Sequence, residues 1–221
     1  MVDVGIRDAR GQELVEGLEL LRRSLGFKAA DAIPAWLAQT TTEAGGLALG
    51  AFARRSLIGF SYALPALRPG GPHLFSCGLA VVPARRGQGV GRTLKLAQRD
   101  RARALGIDRI RWTADPLAAP ALTLYLSGLG ARLVGYRVGL YDAVRATSND
   151  DVEIDWHVGE PPAARPLDAR VEIPFDPSCR SPAWRSSVRR QMSSMLAEGL
   201  VGIGVEAHGH RRFVRFGEPA A

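Results

Sequence analysis

The spacing of hydrophobic residues changes several times along the chain, and each change predicts a different element. Strict alternation is typical of a half-buried strand, whereas apolar residues three and four positions apart are typical of an amphipathic helix. By these criteria the N-terminal part predicts, in chain order, a strand over 2–7, helices over 12–24 and 31–38, and strands over 46–53, 56–64 and 73–82. Asp31 is a candidate cap for the second helix. The three consecutive strands, separated by turn residues, indicate an antiparallel meander.

The pattern becomes helical after Pro83 and then alternates between helix and strand. We expect a helix that ends near Gly106, followed in chain order by a strand over 107–114, a helix over 121–129, a strand over 131–141, a polar break at 143–152, a strand over 151–158, a proline-rich linker at 160–166, a helix over 183–199 and strands over 201–207 and 211–216. This order predicts an α+β fold with a mixed, mostly antiparallel central sheet flanked by helices. We place one domain at 1–142 and a C-terminal α/β extension or subdomain at 152–221.

Composition narrows the class of protein. The 221 residues are 46% hydrophobic and 23% charged, which is typical of an ordinary globular protein. No apolar run approaches the roughly 20 residues that cross a bilayer, and the N-terminus lacks the apolar core of a signal peptide. We therefore expect no membrane partner and a cytoplasmic location. Cys77 and Cys179 lie far apart without ligand spacing, so we expect neither a disulfide framework nor a metal site. His208 and His210 form an H-x-H pair, but no third ligand is evident.

The net charge of +7 comes almost entirely from arginine, since Lys28 and Lys95 are the two lysines of the chain. One interpretation is attraction to an anionic ligand such as a nucleotide or CoA. The other is an arginine-rich composition without a specific partner, which the even spread of arginines favours. There is no dense basic run or basic-aromatic stripe, so we expect no nucleic-acid partner.

Residues 79–99 carry the most specific signal. A strand ends at Pro83, and Gly87, Gly89 and Gly91 follow before a helix begins. Glycines let backbone N–H groups turn towards a ligand, and a helix N-terminus attracts anions, so this loop predicts a phosphate site. Gly91 is followed by arginine where a Walker loop needs lysine, and alternating glycines do not match the dinucleotide fingerprint.

The sequence from Arg86 to Gly91 resembles the R-x-x-G-x-G signature of the GNAT superfamily of acetyltransferases, in the expected place after a three-strand meander. The resemblance implies a GNAT-like fold and an acyl-CoA cosubstrate, acetyl-CoA or succinyl-CoA. The loop amides would hold the CoA pyrophosphate, and the preceding strand would pair with the pantetheine arm. The cofactor-binding residues implied in this way are Leu79, Val81, Arg86, Gly87, Gln88, Gly89, Val90, Gly91 and Arg92.

Further residues resemble a bacterial GNAT subgroup, some of whose members are associated with N-acylamino-acid racemases and with transfer of succinyl groups from CoA to amino acids. These residues are 94–99, 112–113, 115–117 and 129–131, with Tyr136 and Tyr141. The resemblance covers most of 70–200. It implies direct acyl transfer to the amine of a small molecule, an amino acid or related metabolite. Trp184 and the arginines near it are candidates for a homodimer face or for a cover over the CoA phosphates.

Two side chains are candidate catalytic groups. Tyr125 could donate a proton to the departing thiolate, and Asp115 could orient the acceptor amine or cap the next helix. GNAT enzymes often carry an asparagine and a tyrosine where this chain has Ala119 and Leu126. Tyr125 is one residue away from that tyrosine, which on an α-helix turns it by about 100°. The alternative function is therefore an acyl-CoA-binding protein with little or no transferase activity.

Overall fold

The computed structural model describes residues 4–68, 70–145, 149–159, 163–175 and 181–219. The chain forms two compact units, one from Met1–Ile110 with Asp142–Thr147 and one from Arg111–Tyr141 with Ser148–Ala221. The domain boundary predicted between residues 142 and 152 differs from this division, and the predicted domains at 1–142 and 152–221 stay a prediction. Among the described residues, no helix is long and apolar enough to cross a lipid bilayer.

The first unit contains a four-stranded antiparallel sheet in the order β1-β2-β3-β4, with three helices. Its elements are β1 (Val4–Asp8), α1 (Gln12–Leu25), α2 (Ala35–Glu43), β2 (Leu47–Ala53), β3 (Ser56–Arg68), β4 (Gly71–Val81) and α3 (Val90–Ala104). The predicted order is confirmed, but the predicted cap at Asp31 is wrong. Asp31 ends a separate 3-10 turn, and α2 begins only after Pro34, because a proline disfavours helical geometry in the residue before it.

Helices pack on both faces of this sheet. Leu18 and Leu21 of α1 bury against Tyr62 of β3. On the opposite face, Gly59 of β3 leaves room for Leu94 of α3, which lies 3.1 Å from the position that a Cβ at Gly59 would take. Successive strand residues point to opposite faces, so α3 is held against the side of the sheet away from α1.

The second unit contains a mostly antiparallel sheet in the order β5-β7-β6-β9-β10-β8. Its elements are β5 (Arg109–Ala114, within which the two units divide), α4 (Ala119–Leu122), β6 (Arg132–Arg137), β7 (Asp151–His157), β8 (Ala164–Ile173), α5 (Pro182–Ala197), β9 (Val201–His208) and β10 (Arg211–Pro219). The predicted α+β class with a mostly antiparallel sheet is confirmed. The predicted linker at 160–166 is wrong at its end, since β8 begins at Ala164 and pairs along β10.

Buried Asp150 fixes α5 to its unit. Its carboxylate accepts two hydrogen bonds from Arg189 of α5, at 2.9 and 2.8 Å, and one from the Tyr136 hydroxyl at 2.8 Å. Burial and the neighbouring carboxylate raise the pKa of Tyr136, which keeps its hydroxyl a donor. Arg189 therefore has a structural partner in its own unit.

Candidate functional site

The glycine-rich loop connects β4 to α3. After β4 ends, Pro83–Arg85 form a 3-10 turn, and the next four residues are exposed. Gly89 occupies the cap position of α3 in the left-handed conformation, with φ of 84°. Because glycine has no side chain, it cannot accept a hydrogen bond from the first amides of the helix. The loop therefore presents backbone N–H groups and the positive end of the α3 dipole to an anionic ligand.

Side-chain hydrogen bonds hold the loop in shape. Arg86 Nε donates to the Val81 carbonyl at 3.1 Å, and Gln88 Nε2 donates to the Ala84 carbonyl at 3.0 Å. Arg86 and Arg92 are exposed and flank the helix N-terminus. All nine residues expected to bind CoA lie on one continuous stretch from the end of β4 to the first turn of α3.

A β-bulge interrupts β4 close to this stretch. Gly78 pairs with Tyr62 and Ser76 pairs with Ala63, so Cys77 has no residue opposite it on β3. Bulges re-aim side chains and are common beside active sites. Burial raises the pKa of Cys77 to about 12, so its thiol stays protonated near neutral pH and is a poor nucleophile.

Sequence reasoning missed a buried polar cluster beside the bulge. Lys95 of α3 is 1% exposed, and its Nζ donates to Ser76 Oγ at 2.9 Å. Gln98, one turn further along α3, lies 3.2 Å from the same oxygen. The signal was present in the sequence, since Lys95 and Gln98 stand beside Leu94 on the buried face of the helix.

The two predicted catalytic residues lie in the second unit. Asp115 Oδ1 accepts a hydrogen bond from the Leu117 amide at 2.9 Å, so it caps the turn that leads into α4. Tyr125 packs edge-on against Trp112 with ring centroids 5.0 Å apart. Burial raises the pKa of Tyr125 to about 12.

The helix predicted over 121–129 differs in type from the expectation. Only Ala119–Leu122 is α-helical, and Thr123–Gly128 forms a π-helical turn. A π-turn holds an extra residue, so α-helical spacing does not set the direction of Tyr125. The figure of about 100° assumed a regular α-helix, so it does not apply within this turn, and the role of Tyr125 stays a prediction.

One face of the second unit's sheet carries charges of both signs, and we call it the mixed-charge face. Its members are Arg111, Arg132, Arg137, Asp151, Glu153 and Asp155. Arg111 lies 3.2 Å from the buried carboxylate of Asp155, and Arg132 is opposite Asp155 in the ladder between β6 and β7. Burial lowers the pKa of Arg132. Buried charges are costly unless they are paired, and ion pairs such as Arg111–Asp155 meet that need on this face.

A cavity of about 710 Å³ lies elsewhere in the first unit. Asp8, Arg10, Glu43 and Arg101 are among the residues that line it. Its wall includes the start of β2 and the end of α3, so it lies at the other end of α3 from the glycine-rich loop. The cavity contains none of the residues expected to bind CoA.

The histidine pair lies in the second unit. His208 ends β9 and His210 follows in a turn. Within the part of the chain that the structure describes, no three His, Cys, Asp or Glu side chains group as a metal site would require. Cys179 lies outside the described residues.

A model of the acetyltransferase (GNAT) family matches residues 16–131, just over half of the chain. The chain belongs to the GNAT acetyltransferase family. The match includes α3, the loop before it and the whole meander. No curated protein matches the chain significantly.

Solved structures share the fold at low sequence identity. The ribosomal-protein-S18-alanine N-acetyltransferase from Escherichia coli is 17% identical with a TM-score of 0.55, and the match covers 72% of this chain and 96% of that one. A putative acetyltransferase, yncA, from Salmonella typhimurium with acetyl-CoA is 17% identical with a TM-score of 0.59, covering 73% and 97%. Arabidopsis thaliana NAA60 in complex with acetyl-CoA is 15% identical with a TM-score of 0.59, covering 72% and 100%.

The two positions at which GNAT enzymes often carry asparagine and tyrosine are apolar core positions here. Ala119 and Leu126 are each 1% exposed. Neither side chain can donate or accept a proton. An acid or base in this GNAT protein must therefore come from other residues or from solvent.

Proposed function

We propose that the protein transfers an acyl group, acetyl or succinyl, from CoA directly to the amine of an amino acid or related small molecule. The observation that carries the proposal is the glycine-capped start of α3, with exposed Arg86 and Arg92 on either side. Unsatisfied helix amides, a helix dipole and two guanidinium groups together suit the pyrophosphate of CoA. Leu79 and Val81 lie on the strand that leads into this loop, where the pantetheine arm would run.

Direct transfer requires a neutral acceptor amine and a proton for the departing thiolate. We assign Asp115 to the orientation of the amine, because it places a carboxylate at the turn that follows β5, where the Leu117 amide holds it. Tyr125 remains the candidate donor in the second unit. The high pKa of Tyr125 keeps its hydroxyl protonated, but it also makes that proton hard to transfer.

The mixed-charge face supports an amino-acid acceptor. A zwitterion carries one carboxylate and one amine, and this face offers guanidinium groups beside carboxylates. Arg111 is the best placed to bind the acceptor carboxylate, because its side chain is 24% exposed while its partner Asp155 is 7% exposed. An arginine fork matches a carboxylate with two parallel hydrogen bonds.

Arg111→Gln is expected to raise KM for an amino-acid acceptor about 10-fold, because a charged hydrogen bond to the substrate carboxylate is lost. KM for the matching amino-acid amide, which has no carboxylate, should change little. Steady-state kinetics with both acceptors measures the difference. Arg165→Gln is the control, since Arg165 also pairs with a carboxylate, Glu218, but on an exposed surface. An equal KM increase for the amide would contradict the role assigned to Arg111.

The alternative is an acyl-CoA-binding protein without transferase activity, which the apolar side chains at Ala119 and Leu126 favour. Isothermal titration with CoA, acetyl-CoA and succinyl-CoA tests the shared first step, and we expect micromolar binding of at least one of them. Release of free thiol across a panel of amino acids then separates the two functions. Multiple turnovers exclude the alternative, binding without thiol release favours it, and absence of binding removes both.

A further inference from the structure

We propose that Ser76 and Lys95 form a proton-donating pair in which the Ser76 hydroxyl protonates the departing CoA sulfur and Lys95 resupplies that proton. This inference rests on the proposed function, because a CoA thiolate departs only if acyl transfer takes place. Both residues belong to the first unit, together with the loop expected to bind CoA.

The fold places this pair where the thioester is expected. Lys95 lies in the second turn of the helix that begins at the phosphate loop, and Ser76 precedes the bulge of β4. If the pyrophosphate binds at the loop and the pantetheine arm runs along Val81 and Leu79, the arm continues towards Ser76. A strand rises about 3.3 Å per residue, so Ser76 is about 10 Å beyond Leu79.

The hydrogen bonds fix the direction of the Ser76 hydroxyl. A hydroxyl has one hydrogen to donate and two lone pairs to accept with. When Lys95 is an ammonium, it donates to Ser76 Oγ, at 2.9 Å, and the hydroxyl hydrogen is left for another acceptor. Gln98 lies 3.2 Å away and can take that hydrogen while no ligand is bound. When Lys95 is a neutral amine, it can instead accept the hydrogen from Ser76.

A buried lysine here needs an explanation beyond packing. Burying an amine costs free energy, and methionine would fill a similar volume without that cost. Burial lowers the pKa of Lys95 to about 7, so both protonation states are accessible at neutral pH. The pair can therefore give up a proton and regain one in each cycle.

The other titratable groups that face α3 do not change this behaviour. Cys77 of β4 interacts electrostatically with Lys95, but its raised pKa keeps it neutral. Asp8 of β1 pairs with an arginine at the far end of α3. Tyr62 of β3 packs on the α1 side of the sheet. His73 is three residues before Ser76 in β4, so its side chain lies on the face opposite to that of Ser76, which is also the α1 side. β2 has no titratable residue.

The proton transfer balances without a further reactant. The acceptor amine attacks the thioester carbon, the carbon–sulfur bond breaks, and its electron pair stays on sulfur. In one concerted step Ser76 gives its proton to sulfur as Lys95 gives one to Ser76, leaving CoA thiol and a neutral lysine. The new amide releases the second proton of the amine to solvent, and Lys95 is reprotonated from solvent.

Acid strength favours this pair over Tyr125. A thiol has a pKa of about 8.5. An ammonium with a pKa of about 7 gives its proton to that thiolate downhill, whereas a phenol with a pKa of about 12 gives it uphill.

Three variants and one control test the pair with acetyl-CoA and the best amino-acid acceptor of the panel. Lys95→Met and Ser76→Ala should each lower kcat at least about 10-fold at pH 6, with the affinity for acetyl-CoA unchanged. Ser76→Thr keeps a hydroxyl and should retain most activity. Gln98→Met is the control, since Gln98 contacts the same oxygen but supplies no proton.

The pH dependence separates proton donation from a structural role. The ratio of wild-type kcat to Lys95→Met kcat cancels the titration of the acceptor amine. That ratio should be largest below pH 7 and fall towards one as Lys95 loses its proton. A ratio that stays constant with pH, an equal loss in Gln98→Met, or an acyl group found on Ser76 by mass spectrometry would each overturn the inference. If the wild type turns over, any of these results contradicts the role of Ser76 and Lys95 but not the proposed acyltransferase function. Absence of acetyl-CoA binding would contradict both the role of the pair and the proposed function.

Discussion

Gly89→Val is expected to lower the affinity for CoA by at least about 100-fold. Gly89 has φ of 84°, a conformation that a β-branched residue adopts only under strain. A Cβ built there meets nothing within 4 Å, so the added side chain points into open space above the loop. That space is where the pyrophosphate is expected. Loss of about 2.8 kcal/mol of contacts corresponds to about 100-fold in affinity.

Gly106→Val is the matched control for this experiment. Gly106 also has a positive φ, 69°, and a Cβ there also meets nothing within 4 Å. It follows the C-terminal end of α3, far from the loop. Both variants should lose similar stability in thermal unfolding, but only the first should lose CoA binding in isothermal titration. Equal affinity for CoA in the two variants would move the phosphate site away from the loop.

The sequence predicted much of the fold because its strongest signals are local. Leu14, Leu18 and Leu21 of α1 repeat at helical spacing, and the meander strands are long apolar runs between turn residues. Glycine and proline mark the loop before α3 independently of the rest of the chain. Periodicity and turn chemistry therefore sufficed for the first unit.

Structural features that depend on contacts with distant residues could not be predicted from local patterns. The segment at 160–166 contains three prolines and looks like a linker, yet its last residues pair with the final strand, more than 50 residues later. The π-turn around Tyr125 has no spacing signature that distinguishes it from an α-helix. The first mismatch arose where pairing with a distant strand overrides local preference.

The same limit applied to the candidate site. The nine residues expected to bind CoA lie on one continuous segment from β4 to α3, so predicting them required no knowledge of distant contacts. Ser76 and Lys95 are 19 residues apart, and Arg111 and Asp155 are 44 apart. Only the folded chain brings such pairs together. The indication of a buried polar cluster in the sequence was Lys95 itself, since a lysine contradicts the apolar pattern of that helix face.

Lys95→Met is expected to raise the free energy of unfolding near pH 7 by on the order of 3–5 kcal/mol, a gain that fades as the pH approaches 10.5. The sign follows from the two pKa values of Lys95. Its amine has a pKa of about 7 when folded and 10.5 when unfolded. Between these values the unfolded chain binds more protons, so wild-type stability rises with pH and is lost as the pH falls towards 7. The methionine variant has no proton to release and should lack this slope.

Chemical denaturation from pH 6 to pH 10 measures the free energy of unfolding of the wild type and of Lys95→Met. The difference between the two free energies at each pH cancels the titration of every other group. Lys28→Met is the control, because Lys28 is the other lysine and its exposed amine donates only to the Ala143 carbonyl among the described contacts. It should leave the pH slope unchanged. A Lys95→Met protein that is more stable yet slower below pH 7 would show that the buried amine is retained for catalysis at a cost in stability. A variant less stable than wild type across the whole range would instead make the hydrogen bond from Lys95 to Ser76 a structural contact.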